Sequence, residues 1–496
     1  MITTTPEHTI GKQYMILTTT VSFVLGLLIF GAIYMFSKDN LPLGIACLIL
    51  PIPAFFLYSV FKSPRVGFIS ALVMNYFALG LARYIPAPMG LTIDGMLVLT
   101  WLSLVFSQFN HKVEWKRAAK DYTYLALIWS IMIILQLLNP EVVSYQAWIF
   151  GFRGYMVYIL LTIPLVFIMF NKPRDLEIFI TLFAWCTIIG VLKGYGQKYI
   201  ALDRWEQHWL NIPGNRSTHI LFGKLRVFSI FSDAGTYGSS MGYAGIFFTI
   251  KSIYEKQNIR KKLFYLAIGL GALYALLISG TRSAIAVPLV GFSIYTILSK
   301  QIKILVIIGT VVFMFFFILK YTLIGQGNYD IRRMRSGFSE NNASMDVRMD
   351  NRRAFAEYLK TRPFGGGIAS AGNNGLRFSP DTFLAQTATD GYYIQVWAET
   401  GIVGISFYLF MIFYIAIKSS IIIFFRLKKP ENIGVAIGFT CGMYGLMVSA
   451  WTASSLGQMP NIIIVFASMT FVSLMPQWEK EENEKALKEN TSQIKS

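Results

Sequence analysis

The stretch Gly401–Phe425, GIVGISFYLFMIFYIAIKSSIIIFF, decides the fold of this chain. It contains one charged residue, Lys418, and it exceeds the roughly 20 apolar residues that a helix needs to cross a bilayer. About fourteen such runs would occupy roughly 280 of the 496 residues. The sequence therefore predicts an all-α polytopic membrane protein with about 12–14 transmembrane helices. The runs lie near 15–36, 42–61, 66–82, 88–107, 122–138, 148–170, 176–194, 234–250, 263–278, 283–298, 304–323, 401–425, 433–453 and 459–476.

The composition supports this class. Hydrophobic residues make up 54% of the chain, charged residues 14%, and the mean hydropathy is +0.52. Soluble domains carry about a quarter charged residues, so a large soluble enzyme, a coiled coil and a disordered chain are excluded. The net charge of +18 fits basic cytoplasmic loops, and we expect no nucleic-acid partner. Cys47, Cys186 and Cys441 fall inside apolar runs, which indicates neither a disulfide framework nor a zinc site.

The distribution of basic residues predicts the orientation in the membrane. Short basic clusters such as 62–65, 111–120 and 251–262 fall in alternate loops, which are cytoplasmic by the positive-inside rule. Both termini are then cytoplasmic. The predicted organisation is a cytoplasmic segment 1–14, a transmembrane bundle 15–323 with an outer loop at about 195–232, a large and mostly helical extracytoplasmic loop 324–400, C-terminal helices 401–476 and a charged cytoplasmic tail 477–496.

Two arginines at the ends of apolar runs are candidates for binding an anion. Arg282 lies in the tight turn SGTRS, 279–283, and arginine costs about 3 kcal/mol at the centre of a membrane helix. The alternative is an anchor that reaches the lipid headgroups. Arg226 begins RVFSIFSDAGTYG, 226–238, where Asp233 is a predicted N-cap and small residues open the next helix. Arg226 beside a helix N-terminus could hold a phosphate, whereas the glycines could equally serve helix packing.

The large loop adds further candidates. Residues 344–359 form a predicted amphipathic helix that carries Arg348 and ends before RPFGGG, 362–367. Asp346 and Asp350, four residues apart, could bind a metal, but pairing with neighbouring arginines is favoured. Asp390 and Glu399 flank a short predicted helix, and each is either a general base or a cap or ion-pair partner.

Other chemistries find little support. His208 and His219 in the first long loop are alternative bases, although single histidines are weak signals. The sequence has no P-loop, dinucleotide-binding fingerprint, His-Glu-x-x-His motif or Ser-His-Asp pattern. These absences remove support for ATP hydrolysis, hydride transfer and zinc proteolysis.

Taken in order, four motifs resemble one family. They are Arg226 followed by Ser232-Asp233, Ser279-Gly-Thr-Arg282, Arg348 followed by Pro363-Phe-Gly-Gly-Gly, and Asp390-x-x-Tyr393 followed by Ala-Glu399-Thr-Gly-Ile-Val-Gly404. Over roughly residues 220–420, this arrangement resembles the O-antigen ligase and O-antigen polymerase superfamily. Its members are multi-span inverting glycosyltransferases of the C-type fold that use undecaprenyl-diphosphate-linked sugars.

The resemblance implies an O-antigen ligase-like glycosyltransferase in a bacterial inner membrane. Such an enzyme moves a saccharide from undecaprenyl diphosphate to an acceptor hydroxyl, on lipid A core or a similar glycan or lipid, at the periplasmic face. The alternative within the superfamily is a repeat-unit polymerase of O-antigen, capsule or exopolysaccharide. Many ligases carry His-Asn where this chain has Asp390-Gly391, and aspartate there is more typical of polymerase-like members.

The resemblance also implies roles for individual residues. Arg226, Arg282 and Arg348 would bind the diphosphate, because arginine contacts phosphate oxygens bidentately and is always charged. Asp390 would accept the proton of the acceptor hydroxyl, with Glu399 in reserve. This chemistry needs no metal and no cofactor. A transporter or flippase of lipid-linked sugar is the alternative from another class, but it would place ionisable residues within the spans. A purely structural subunit would leave these residues without a role.

Overall fold

The computed structural model describes residues 34–35, 51–110, 112–221, 223–300, 302–336 and 343–495. In these ranges the chain is almost entirely helical, which confirms the predicted all-α class. The strands there form one antiparallel pair, β1 (Ile220–Leu221) with β2 (Lys224–Leu225). The predicted segment 1–14, the run 15–36 apart from Tyr34 and Met35, and Cys47 lie outside the described residues. Cys186 and Cys441 are buried and free.

The first seven helices precede the first long loop. They are α1 (Pro51–Lys62), α2 (Pro64–Leu81), α3 (Gly90–Asn110), α4 (Asp121–Leu135), α5 (Tyr145–Phe152), α6 (Tyr158–Met169) and α7 (Pro173–Tyr199). One π-helical turn, Arg153–Val157, joins α5 to α6. Short 3₁₀ turns lie at Trp115–Ala118 and Gln136–Leu138.

The remaining thirteen helices of the described ranges include both short loop helices and long apolar ones. They are α8 (Arg204–Leu210), α9 (Asn215–His219), α10 (Ala234–Tyr254), α11 (Ile259–Ile278), α12 (Ala286–Leu298), α13 (Ile302–Tyr321), α14 (Tyr329–Arg335), α15 (Ala343–Leu359), α16 (Gly372–Phe378), α17 (Phe383–Gln386), α18 (Tyr392–Phe425), α19 (Pro430–Ser449) and α20 (Asn461–Lys495). Helices α14 to α17 and the first nine residues of α18 cover more than half of 324–400, so this segment is mostly helical as predicted.

Within the described ranges, nine helices are long and apolar enough to cross a membrane. The two predicted runs 234–250 and 283–298 also form helices, α10 and α12, but they do not meet that criterion. Glycine, serine and threonine are frequent in α10, and α12 has only 13 residues. The chain is therefore a multi-pass membrane protein, while the side of the membrane on which each loop lies stays a prediction.

The described contacts divide the chain into two compact units. The smaller unit comprises Met1–Gly67 and Leu99–Lys112. There the Ser103 hydroxyl donates to the carbonyl oxygen of Val60 at 2.6 Å. The larger unit comprises Phe68–Val98 and Val113–Ser496, and it contains every candidate site residue.

In the larger unit, α10 packs between α11 and α19. Its small residues allow this close approach, because a Cβ at Gly242 would lie 2.9 Å from Leu276 Cδ1 and 3.1 Å from Val287 Cβ. On the other side, the rings of Phe247 and Phe439 stack at 4.1 Å. The packing role predicted as the alternative for these glycines is therefore the one that the structure supports.

The helical backbone of α18 is interrupted at one of its glycines. Gly401 has φ 66° and ψ −168° inside this helix, so the carbonyl groups of the preceding turn lack their usual helical donors. The Gly366 amide donates to the Ala398 oxygen at 2.9 Å, and the Gly367 amide donates to the Glu399 oxygen at 3.0 Å. A Cβ at Gly401 would lie 2.1 Å from the Pro363 oxygen. The backbone of the motif 363–367 thus packs against the interrupted part of α18 and forms hydrogen bonds with it.

Candidate functional site

The turn between α11 and α12 is the centre of the candidate site. Helix α11 ends at Ile278, and Gly280 has φ 61°, a conformation that favours glycine. The Ser279 hydroxyl donates to the Leu276 oxygen at 2.7 Å and accepts from the Thr281 amide at 3.2 Å. The chain then enters a 3₁₀ turn that starts at Arg282. This geometry confirms the predicted tight turn and fixes the direction in which Arg282 leaves it.

Two further arginines lie against this turn. Arg226 donates from Nη2 to the Thr281 hydroxyl at 2.9 Å and from Nη1 to the Thr218 oxygen at 2.9 Å. Arg333, on α14, donates from Nε to the Gly280 oxygen. A Cβ at Gly280 would lie 3.1 Å from Arg333 Nε and 3.6 Å from Arg226 Cγ. Glycine is therefore required here both for its backbone angle and for the space that the two arginines occupy.

Positive charge accumulates at this turn. Burial, and then the like charges of Arg333 and Arg348, lower the pKa of Arg282 from its usual range. Across the part of the chain that the structure describes, neither Arg282 nor Arg333 lies within ion-pair distance of a carboxylate. We name Arg226, Arg282, Arg333 and Arg348 the arginine cluster. The charges of Arg282 and Arg333, which have no carboxylate partner among the described residues, are suited to a bound anion.

Asp390 lies at the edge of the arginine cluster. Its Oδ1 is 3.8 Å from Arg348 Nε, and its Oδ2 accepts from Asn351 Nδ2 at 3.3 Å. Asp390 has φ 42°, and Gly391 caps α18 with φ 153°. A Cβ at Gly391 would lie 2.4 Å from the Trp451 oxygen. The strained backbone and close packing hold a partly exposed carboxylate beside an arginine, an arrangement typical of functional sites.

Arg352 extends the basic surface on the same helix as Arg348. Its Nη2 donates to the Trp451 oxygen at 2.9 Å, and its guanidinium lies 4.4 Å from the centre of the Trp451 ring. Burial, and then the like charge of Arg348, lower the pKa of Arg352. Helix α15 thus presents two arginines at i and i+4 toward Asp390 and Trp451.

An apolar groove of about 800 Å³ begins next to this point, between α15, α18 and α19. Arg352 and Trp451 border it near Asp390, and it follows α18 from Tyr393 to Phe413. Twenty helical residues span about 30 Å, which matches the thickness of the hydrocarbon core of a bilayer. The groove therefore has the length and the apolar character to hold one lipid chain.

Glu399 occupies a different position from Asp390. Its side chain is fully buried, with Oε2 accepting from the Ala369 amide at 2.6 Å and Oε1 accepting from Gln395 Nε2 at 3.3 Å. Burial keeps this carboxylate away from a bound substrate in the observed conformation. The reserve role predicted for Glu399 stays a prediction, and the geometry favours Asp390.

The predicted N-cap at Asp233 is confirmed, with a consequence for anion binding. The Asp233 Oδ1 accepts from the amides of Gly235 at 2.7 Å and Thr236 at 2.9 Å. A carboxylate therefore already occupies the first amides of α10. The anion that Arg226 could bind would lie toward the turn at Gly280 instead of at the end of this helix.

The two histidines of the first long loop differ in their surroundings. His219 is buried, with Nδ1 hydrogen-bonded to the Asn215 oxygen at 2.9 Å, and its ring packs against Trp209 and Phe228. Burial lowers the pKa of His219. His208 is exposed on α8. These surroundings favour a core role for His219 over the role of a base.

Of the two aspartates on α15, Asp350 pairs with a neighbouring arginine, as the sequence analysis favoured. Asp350 Oδ1 lies 3.3 Å from Arg353 Nη1, and both side chains are exposed. Asp346 is exposed on the preceding turn. Among the described residues, no group of three or more His, Cys, Asp or Glu side chains could hold a metal ion.

A second basic cluster lies around Arg83, after α2. The Arg83 guanidinium donates to the carbonyl oxygens of Ser229 at 2.7 Å, of Ser232 at 3.3 Å and of Phe231, and it packs against the rings of both Trp209 and Phe228. Ser229 has φ 52°. Arg83 therefore fixes the irregular segment that joins Arg226 to Asp233.

Carboxylates balance the charge of this second group. Lys193 Nζ lies 2.8 Å from Asp203 Oδ2 and 3.0 Å from Glu206 Oε1. Glu206 is fully buried and also accepts from Gln197 Nε2 at 2.7 Å. We name Arg83, Lys193, Asp203 and Glu206 the Arg83 cluster. Sequence reasoning assigned no role to these four residues.

Sequence reasoning named Arg226, Arg282, Arg348 and Asp390, and the structure brings these four into one neighbourhood. It assigned no role to Arg333, Asn351, Arg352 or Trp451. The available signal was the basic run at 332–335, directly after a span, and the i, i+4 spacing of Arg348 and Arg352. Neither signal specifies which long-range partner each side chain meets.

Fold and site together define a multi-pass membrane protein with a cluster of arginines next to a carboxylate and an apolar groove. Residues 266–409 match the family model described as O-antigen ligase. The chain is also 24% identical over 344 residues to an O-antigen polymerase of Salmonella muenchen, an alignment that covers 65% of this chain and 80% of that protein. These matches confirm the resemblance to the O-antigen ligase and polymerase superfamily.

Proposed function

We propose that this chain is an O-antigen ligase-like glycosyltransferase that moves a saccharide from undecaprenyl diphosphate to an acceptor hydroxyl. The arginine cluster at the Gly280 turn carries the proposal, because no carboxylate of the described residues lies within ion-pair distance of Arg282 or Arg333. A diphosphate leaving group supplies the missing negative charge. The apolar groove next to Arg352 suits the polyprenyl chain to which that diphosphate is attached.

The geometry supports an inverting displacement. The acceptor oxygen forms a bond to the anomeric carbon while the bond from that carbon to the diphosphate breaks, and the electron pair leaves with the diphosphate. Arg226, Arg282 and Arg348 stabilise the charge that develops on the leaving group. Asp390 accepts the proton of the attacking hydroxyl. Because arginine stays charged at every physiological pH, the proposed transfer requires no metal ion.

The ligase and the polymerase share this chemistry and differ in the acceptor. A ligase transfers a finished polymer to lipid A core or a similar molecule, whereas a polymerase extends one lipid-linked glycan with another. The family description names the former activity and the Salmonella relative is named for the latter. We also propose a bacterial inner-membrane location, with both termini cytoplasmic and 324–400 periplasmic, from the distribution of basic residues.

The test is the profile of undecaprenyl-linked glycans in a strain that lacks the gene. Long polymers that accumulate on the lipid indicate a ligase, and single repeat units indicate a polymerase. The Asp390→Ala variant should lose about 10²–10⁴ in transfer rate, and Arg282→Ala about 10²–10³. Neither should restore the wild-type profile.

Lys360→Ala is the matched control, because Lys360 is an exposed cation on the loop that pairs with Glu357 at 2.8 Å. It should restore the profile fully. Asp390→Ala and Arg282→Ala proteins that reach wild-type abundance and support normal transfer would overturn the catalytic proposal. Accumulation on the inner leaflet would favour a transporter, and an unchanged lipid-linked glycan profile would remove both assignments.

A further inference from the structure

A second pocket lies on the other side of the first turns of α18. Its volume is about 290 Å³, and it is formed by α18, the π-helical turn 153–157 and the loop 454–459. Single π-helical turns are found frequently at functional sites. The volume lies at the lower end of the range of roughly 300–1,000 Å³ typical of small-molecule sites. We name this cavity the polar pocket.

The wall of the polar pocket combines amides with aromatic rings. Asn374, Gln395 and Gln458 contribute side-chain amides, each of which can donate and accept hydrogen bonds. The rings of Tyr155 and Tyr392 stack at 6.3 Å in the same wall. A pyranose ring matches this combination, because its hydroxyl groups both donate and accept while its C–H faces are apolar.

The charge of the polar pocket is balanced, in contrast to the arginine cluster. The single guanidinium of its lining, Arg153, forms an ion pair with Asp94 at 2.6 Å between Nη1 and Oδ2. A diphosphate entering the pocket would therefore meet no net positive charge. The lining favours a neutral sugar over a phosphorylated group.

The amides of the pocket are held in position by buried partners. Gln395 Nε2 donates to Oε1 of the fully buried Glu399 at 3.3 Å, and Glu399 is itself held by the Ala369 amide. Gln458 is hydrogen-bonded to the hydroxyl of Thr236 on α10. These contacts give the buried glutamate a role as a positioning residue for Gln395.

The first turns of helix α18 place the polar pocket and the apolar groove on different faces of that helix. Tyr392 and Gln395 lie on one face at i and i+3 and line the polar pocket, whereas Tyr393 and Trp397 line the groove. Asp390 precedes the helix by two residues. Both cavities therefore begin within three residues of the candidate base along the chain, at Tyr392 and Tyr393.

Resting on the proposed function, we propose that the polar pocket binds a neutral sugar residue of the acceptor and presents its hydroxyl to Asp390. The donor diphosphate then lies at the arginine cluster, and the two substrates occupy separate subsites. One amide contact to a neutral hydroxyl contributes about 0.5–1.5 kcal/mol, or up to roughly tenfold in affinity.

The test measures binding and transfer separately on the full-length protein in lipid nanodiscs. The probe is the repeat-unit oligosaccharide released by mild acid from the surface polysaccharide of wild-type cells, titrated by calorimetry. Asn374→Ala should weaken its binding up to roughly tenfold, and Asn373→Ala, an exposed neighbour outside the pocket, should bind like the wild type. Gln395→Leu, which also faces the pocket, should repeat the loss.

Arg282→Ala separates this inference from the proposed function. It should bind the oligosaccharide normally and lose affinity for inorganic diphosphate, while diphosphate should not compete with the oligosaccharide on the wild type. Equal binding by Asn374→Ala and Asn373→Ala, or competition by diphosphate, would overturn the pocket assignment. Normal transfer in the cell by Asp390→Ala would instead overturn the catalytic proposal and leave the binding result unaffected.

Discussion

The arginine cluster and the Arg83 cluster are both basic groups at the ends of helices, but they distribute their charge differently. In the Arg83 cluster, Lys193 faces two carboxylates and Arg83 donates to three carbonyl oxygens. At the Gly280 turn, Arg282 faces the like charges of Arg333 and Arg348. A basic group that is balanced internally stabilises the fold, whereas one left unbalanced is available for a ligand.

This contrast links each cluster to a separate measurable quantity. Removal of a charge from the Arg83 cluster leaves buried partners without compensation and lowers stability. Removal of a charge from the arginine cluster relieves repulsion and affects the reaction instead. Substitutions in the two clusters should therefore separate stability from activity.

The largest stability effect should come from Glu206→Ala. Loss of a buried hydrogen-bond partner costs about 1–3 kcal/mol, and the fully buried Glu206 accepts from Gln197 and pairs with Lys193. The variant should show a large drop in melting temperature, measured by fluorescence-detected gel filtration in detergent. Glu357→Ala, at an exposed pair with Lys360, is the control and should melt like the wild type. Equal melting of both variants would contradict the structural role of the Arg83 cluster.

Arg282→Ala should separate activity from stability. Its transfer rate should fall about 10²–10³, while its free energy of unfolding should stay within about 0.5 kcal/mol of the wild-type value. The physical reason is that Arg333 and Arg348 oppose the charge that is removed. Melting temperature and lipid-linked glycan transfer, measured on the same preparation, check this expectation. A large fall in the melting temperature would contradict this prediction and show that Arg282 has a structural role.

The smallest effect should be a pH dependence of stability at the Arg83 cluster. Burial raises the pKa of Asp203, but hydrogen bonds from Lys193 and Tyr84 outweigh it and lower the pKa to about 2. Because the ordinary value is about 3.9, the stabilisation is complete above about pH 4 and is lost as the pH falls toward 2. Melting temperatures across this range should decline less in Asp203→Asn than in the wild type. Identical declines would show that Asp203 is not the group responsible.

The sequence predicted the fold class well because hydropathy and charge are local properties. Runs such as 401–425 became helices, Asp233 became an N-cap, and the turn at 279–282 formed where glycine permits it. The number of spans was harder to predict. Helix α10 is buried by its neighbours but is rich in small polar residues, so its hydropathy is lower than its burial would suggest.

The sequence predicted the site less completely because long-range contacts have no periodic signature. The motif 362–367 was interpreted as a helix stop, yet its glycines also dock against the break at Gly401, more than thirty residues away. The carboxylates at 390 and 399 looked alike in sequence. One is partly exposed beside Arg348, and the other is buried behind Gln395. No local pattern distinguishes those environments.

The backbone contact between Gly365–Gly367 and the break in α18 has a consequence for the design of chimeras with related proteins. The amides of Gly366 and Gly367 satisfy carbonyl groups that belong to the following helix, and the Val403 amide donates back to the Pro363 oxygen at 3.2 Å. A chimera with its junction between these two segments would take the donors and the acceptors of these hydrogen bonds from different parents. In a chimera, residues 363–404 should therefore be exchanged as one segment, so that both partners of these hydrogen bonds come from the same parent.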